Sequence, residues 1–193
     1  VADVASPDGP GAILGGLARD GYYCDVLINN AGMGLSGPFT DYDEAGLSAL
    51  ISLNIGALSL LMHAVLPEMI ARGRGGILNV ASLSGLAPGP WQAAYYASKA
   101  YVVSLTEAVA YETRGLGVRI AVLLPGPTQT QFHHHMGADS AYYLRLLAPA
   151  SPAGRPAGAR RRWRAAGSRH PWRDARPRPR AGQDSVRHLR RLP

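Results

Sequence analysis

Lys99 is the only lysine among the 193 residues, and it follows Tyr95 by four positions in the segment Tyr95-Tyr96-Ala97-Ser98-Lys99. Before position 151 the other six basic side chains, leaving histidine aside, are all arginine (Arg19, Arg72, Arg74, Arg114, Arg119, Arg145). Where positive charge alone suffices, this chain uses Arg. A retained lysine points to chemistry that Arg cannot perform. An ammonium is a compact donor that can contact two hydroxyls and shift a neighbour's pKa, whereas a guanidinium is a planar fork that stays protonated. On a helix, a spacing of four puts Tyr95 and Lys99 on one face. Three further signals accompany the pair: Ser82, 13 residues before Tyr95; Asn54, inside the preceding long apolar stretch; and Asn29-Asn30-Ala31-Gly32, earlier still.

These residues need a scaffold, and the chain offers one. Residues 1–5 read as the end of a strand, and residues 9–20 as a helix with Ile13, Leu14 and Leu17 on one face. Cys24 to Ile28 is a short apolar run stopped by Asn and Gly, the mark of a buried parallel strand entering a loop. Asp43 to Ala71 reads as a long helix, capped by Asp41 or Asp43, with Pro67 able to kink it. Gly76 to Ala81 is a second clear strand. A loop with Gly85, Pro88, Gly89 and Pro90 leads to a helix over Trp91 to Leu116, stopped by glycine. Val118 to Leu124 is a further strand, closed by Pro125-Gly126-Pro127, and residues 138–147 suit a short helix. Strands alternating with helices indicate an α/β fold, a Rossmann-like doubly wound parallel sheet. Ligands in such sheets sit beyond the carboxyl ends of the strands. The polar or glycine-rich clusters 29–32, 82–85 and 125–130 all fall there.

The motifs NNAG, LNIGA, NVASLSG, YYASK and PGPTQT, in this order and spacing, resemble the short-chain dehydrogenase/reductase family over about residues 1–135. The resemblance implies an NAD(P)-dependent oxidoreductase that moves a hydride between a nicotinamide cofactor and a carbonyl/alcohol substrate. It implies Tyr95 as general acid/base, with a phenol that must fall below its usual pKa near 10, and Lys99 as the charge that favours phenolate. Lys99 would also hold the nicotinamide ribose. Ser82 would orient the substrate oxygen, and Asn54 would hold a water linking Lys99 to solvent. Asp3 would meet the adenine amino group, Asn30, Ala31 and Gly32 would pass the adenosine ribose, and Pro125, Gly126, Thr128 and Thr130 would contact the nicotinamide. Each residue also has an ordinary reading: Tyr95 as packing, Ser82 as a loop cap, Asn54 as a satisfied core amide.

The same resemblance predicts an incomplete sheet. Only 28 residues precede Asn29. The first two strands, the glycine-rich phosphate loop and the residue that selects NAD from NADP are expected to be missing, leaving a gap and an exposed edge. The last strand is expected to be missing too, so that residues 1–148 form a partial domain. Residues 149–193 read as an Arg/Pro-rich tail, disordered or translated in a shifted frame, too poor in apolar residues to offset the entropy of ordering. The truncated chain is expected to bind dinucleotide poorly and to be nearly inactive.

Charge follows this division. Residues 151–193 hold 13 Arg and two Asp, and residues 1–150 hold seven Lys and Arg against 11 Asp and Glu, so the net +7 belongs to the tail. A basic tail with Trp163 and Trp172 could bind nucleic acid nonspecifically, but no recognised binding fold surrounds it, and nucleic acid is not an expected partner. A second rival is a non-catalytic remnant that acts only through subunit association. The resemblance implies a homodimer or homotetramer through the helices at 43–71 and 91–116. Ala45 to Pro67 holds no Asp, Glu, Lys or Arg over 23 residues, but its Ser, Asn, His and Gly residues favour a core or interface helix over a membrane span. His133-His134-His135 suits a substrate-side loop, and no metal is expected. One cysteine, Cys24, excludes an intramolecular disulfide framework and fits a core position and a reducing, cytoplasmic compartment.

Overall fold

A computed structural model describes residues 2–6 and 8–126. Three short apolar runs form one parallel sheet: β1 (Val26–Asn29), β2 (Gly75–Val80) and β3 (Val118–Leu123), with β2 in the middle. Register pairs Asn29 with Asn79 and Val80 with Leu123, so the three carboxyl ends form one rim. The loops carrying Gly32, Ser82 and Gly126 all leave from that rim.

Helix α1 (Gly9–Arg19) precedes β1, and Pro10 opens it at a position where a missing N–H costs nothing. Between β1 and β2 one long helical run spans α2 (Glu44–Ile51), a π-helical segment at Ser52–Ala57, and α3 (Leu58–Arg72). Asp43 caps its start by accepting from Gly46 N at 2.6 Å, and left-handed Gly73 ends it. The run passes through Pro67 to Arg72; its irregular turn lies instead around Asn54. By length and composition this run could cross a membrane. In this fold Leu50, Leu58, Leu61, Met62, Val65 and Met69 of that run are buried. Met62, Val65 and Met69 meet Ile77, Val102, Ile120 and Val122 in the core cluster. Each such side chain contributes roughly 1.5–3 kcal/mol by leaving water.

Helix α4 (Ala93–Glu112) joins β2 to β3 and packs on the sheet through Val102. It is shorter than the expected 91–116. Trp91 has φ 66°, which a right-handed helix does not accept, and the chain turns out of the helix by Gly115 (φ 77°). Gly117 (φ 79°) is required for a second reason as well: a Cβ there would strike the Gly73 carbonyl oxygen at the end of α3.

The expected strand at residues 1–5 is not present. Asp3 folds the segment into a turn instead, its carboxylate accepting from Ala5 N at 2.9 Å and its carbonyl from Ser6 Oγ at 2.8 Å. An extended segment needs a ladder partner, and an Asp side chain supplies local hydrogen bonds when no partner stands beside it. The exposed edge is found: β1 ends the sheet, with Val26 63% and Ile28 59% exposed. Cys24 packs at the margin of the core, where burial pushes its thiol pKa up. The expected helix at 138–147 and the tail lie outside the described residues.

Candidate active site

The C-terminal end of β2 and the first turns of α4 meet at the rim. Ser82 follows β2 directly and caps a 3-10 turn (Leu83–Leu86), accepting from Ser84 N at 3.1 Å. That turn rests on α4 so closely that a Cβ at Gly85 would lie 2.7 Å from the Lys99 carbonyl oxygen. The contact sets Ser82 over the helix, and its side chain hydrogen-bonds the Tyr95 hydroxyl. Tyr95 is 9% and Lys99 6% exposed. Lys99 Nζ lies 5.8 Å from the Tyr95 ring centroid and donates to the Val80 carbonyl at 3.0 Å. Half-buried Ser82 thus stands over the buried pair Tyr95 and Lys99 in one cluster.

Asn54 joins the cluster from the π-helical turn. Its amide accepts from Met33 N at 2.9 Å and donates to Met33 O at 2.8 Å and to Ser98 Oγ at 3.0 Å. Both amide hydrogens are thus used in fixing the loop after β1 to α4. Gly32 completes the packing: a Cβ there would stand 3.3 Å from Asn54 Oδ1 and 3.4 Å from Lys99 Nζ. The NNAG glycine is what lets the loop pass this close to the lysine.

Tyr95 is held by opposing influences. Burial pushes its phenol above the ordinary value of 10; the Ser82 hydrogen bond draws it back, and neighbouring Tyr96 adds to the rise. Lys99 Nζ stands 5.8 Å from the Tyr95 ring centroid. The ammonium faces the Val80 carbonyl, and burial draws its own pKa down to about 8. Ser82 is the group that acts on the phenol.

The other sequence-predicted residues divide. Pro125 O accepts from Leu83 N at 3.0 Å and Gly126 lies beside Leu83 Cδ1, so both adjoin the Ser82 turn. Asn30 and Ala31 border a cavity of about 220 Å³ at the edge of β1, together with Val4. Asp3 is exposed, its carboxylate turned to Ala5 N. Thr128, Thr130 and His133 to His135 lie outside the described residues. Among the described residues no group of three or more His, Cys, Asp or Glu could hold a metal.

Sequence reasoning missed a second tier of polar residues. Beneath the site, Asn29 Nδ2 donates to Asn79 Oδ1 at 2.9 Å, and Asn79 Nδ2 donates to Thr106 Oγ1 at 2.9 Å. Thr106 Oγ1 in turn donates to the Val102 carbonyl. Ser98, which holds Asn54, was also missed. A lone Asn within the apolar strand Gly76-Ile77-Leu78-Asn79-Val80 was the available signal.

The described residues fit one end of a dinucleotide. Lys99 Nζ has one hydrogen-bond partner among them, leaving ammonium hydrogens for ribose hydroxyls, and the bare Cα of Gly32 keeps the space beside it open. No glycine-rich phosphate loop stands among these residues.

A parallel sheet with a serine–tyrosine–lysine cluster at its carboxyl rim defines a Rossmann-type oxidoreductase scaffold. The chain belongs to the short-chain dehydrogenase family: the profile described as "short chain dehydrogenase" matches residues 1–141. It is 34% identical over 158 residues to gluconate 5-dehydrogenase of Gluconobacter oxydans, covering 80% of this chain and 60% of that protein. It is 41% identical over 102 residues to ketoacyl reductase HetN of Nostoc sp., covering 53% and 36%. A short-chain dehydrogenase from Sphingobium yanoikuyae in complex with NADPH superposes with a TM-score of 0.66 at 36% identity, covering 72% of this chain and 54% of that one. A gluconate 5-dehydrogenase from Burkholderia cenocepacia in complex with NADP and tartrate gives 0.67 at 29% identity, covering 80% and 60%. The chain spans about half the length of the curated relatives it matches.

Proposed function

We propose that the protein is an NAD(P)-dependent oxidoreductase acting on a carbonyl/alcohol pair. The carrying observation is the hydrogen bond between Ser82 and the buried Tyr95 hydroxyl, with Lys99 one helical turn away. In reduction, Tyr95 gives its phenolic proton to the substrate oxygen while Ser82 Oγ donates a hydrogen bond to the same atom. In oxidation, the tyrosinate takes the alcohol proton. A nicotinamide held by Lys99 beside Gly32 would supply the hydride in reduction and accept it in oxidation. Lys99 holds the ribose hydroxyls, Gly32 clears the approach, and Asn54 keeps the Met33 loop in place. Pro125 and Gly126 border the nicotinamide in this reading.

Association through α3 and α4 belongs to the same proposal. Leu60 and Tyr101 are exposed on these helices, as is Ile51 at the end of α2, and Ser59 Oγ meets Tyr101 OH at 3.0 Å between α3 and α4. A homodimer or homotetramer would cover them, and light scattering reads its mass. A cytoplasmic location is proposed from the lone Cys24.

The deciding experiment follows nicotinamide absorbance with the full chain, NADH or NADPH, and a panel of ketones. Tyr95→Phe lowers kcat by about 10²- to 10⁴-fold, the usual worth of a positioned acid/base. Equal turnover by the two proteins ends the proposal.

A further inference from the structure

The two loops bordering the Ser82–Tyr95 pair are tied together. Gly37 N donates to the Trp91 carbonyl at 2.8 Å, and Gln92 Nε2 reaches Ser36 Oγ at 3.5 Å. Gln92 is 4% exposed and anchors the junction, while Trp91 beside it is 65% exposed. Trp91 is also the one non-glycine residue with positive φ among the described residues. A bulky side chain in that region of backbone space costs free energy, and such strain persists only where the surroundings hold it. Here the Gly37 hydrogen bond and buried Gln92 hold it, and the result is an indole raised into solvent four residues before Tyr95.

The rim formed by the two loops that meet at Trp91 is rich in exposed apolar side chains. Leu83, Leu86 and Phe39 are each at least half exposed. Neither loop stretch, 26–40 or 75–98, contains an Asp, Glu, Lys or Arg. Beyond these stretches Asp41 follows Phe39 by two residues, and the Lys99 ammonium is buried against Val80 O. A carboxylate or polyol brought to this rim would give up water for partners that the rim does not supply. A neutral ring or branched alkyl group would instead gain apolar contact with the indole.

Building on the oxidoreductase reading, we infer that Trp91 and its uncharged rim select ketones and secondary alcohols bearing a neutral apolar ring or branched group. Acidic and polyhydroxylated substrates are disfavoured. This sets the chain apart from the gluconate in the names of two proteins it is similar to.

The test compares kcat/KM for acetophenone with that for acetone in the full chain. In Trp91→Gly, which removes the ring and suits the backbone, the acetophenone-to-acetone ratio falls by about ten-fold or more, the size expected for losing one apolar contact surface. Trp91→Phe keeps most of the ratio. An unchanged ratio in Trp91→Gly, or wild-type preference for a 2-oxo acid over acetophenone, overturns the inference. If no carbonyl is turned over with either cofactor, the oxidoreductase reading fails by itself, and a binding measurement decides the inference. With Trp163 and Trp172 replaced by Phe, Trp91 is the single tryptophan. Saturable quenching of its fluorescence by acetophenone, absent with pyruvate, supports the inference. Purely collisional quenching, or equal saturation by both, overturns it.

Discussion

The Asn54 amide closes on both backbone groups of Met33, accepting from its N–H and donating to its carbonyl. One side chain thereby stands in for a strand partner and fixes a loop 21 residues away in sequence. Because Asn54 also donates to Ser98, the loop after β1 and helix α4 keep one spacing, and that spacing sets how near Gly32 comes to Lys99. Asn54→Ala would leave two buried backbone groups and the Ser98 hydroxyl without this partner. The expected loss is roughly 2–4 kcal/mol, from three hydrogen bonds near 1 kcal/mol each plus unsatisfied groups. Urea unfolding measures it; a loss below about 1 kcal/mol would mean that the amide is not the brace described.

Gly32→Ala tests the packing from the other side. The new methyl stands 3.3 Å from Asn54 Oδ1 and 3.4 Å from Lys99 Nζ, so one of them must move by a few tenths of an ångström. Moving the lysine end costs little stability, about 1 kcal/mol or less, but displaces the group proposed to hold the ribose. Dinucleotide affinity, measured by calorimetry, is expected to fall about ten-fold while the urea midpoint barely shifts. Unchanged affinity would show that the space beside Lys99 is not used.

Much of this site was legible because its chemistry needs fixed residue types. Tyr95 and Lys99 could be paired from spacing alone, since one helical turn carries sequence distance into space. Asn79 and Thr106 were not legible in the same way. Their hydrogen bond joins residues 27 apart on different elements, and each alone reads as an ordinary core polar group. The π-helical turn at Ser52–Ala57 has no compositional mark, whereas Pro67 does, so the sequence placed the irregularity at the wrong residue. Residues 1–5 failed for a third reason. Strand propensity is local, but a strand exists only beside a neighbour, and Asp3 offered a turn instead. Spacing gives proximity and not orientation: Lys99 is near Tyr95, and its ammonium donates to the Val80 carbonyl.

That orientation makes Ser82 the residue to change when asking what tunes the phenol. Its hydrogen bond draws the Tyr95 pKa down against burial, so Ser82→Ala moves the pKa further up. Tyrosinate formation, read by ultraviolet difference against Tyr95→Phe, shifts to higher pH. The rising limb of alcohol oxidation, which needs the ionised phenol, shifts with it. If the limb stays in place while kcat falls, Ser82 acts on the substrate alone.

Lys99 leaves its trace in stability. Its pKa falls from 10.5 unfolded to about 8 in the fold. Below pH 8 both states are protonated, and the group gives no pH dependence. Between pH 8 and 10.5 the unfolded chain binds the extra proton, so stability rises with pH in that window. The full rise is roughly 3 kcal/mol. Tyr95, which burial raises above its ordinary 10, opposes the rise from about pH 10 upward, because there the folded chain keeps the phenolic proton that the unfolded chain loses. Lys99→Met removes the dependence and relieves the buried charge, so the variant is the more stable protein at pH 7 and loses that advantage toward pH 10. Urea midpoints of the two proteins across pH 7 to 10 would converge. Parallel curves would mean that the ammonium is solvated, and the buried cluster at the sheet rim would have to be redrawn.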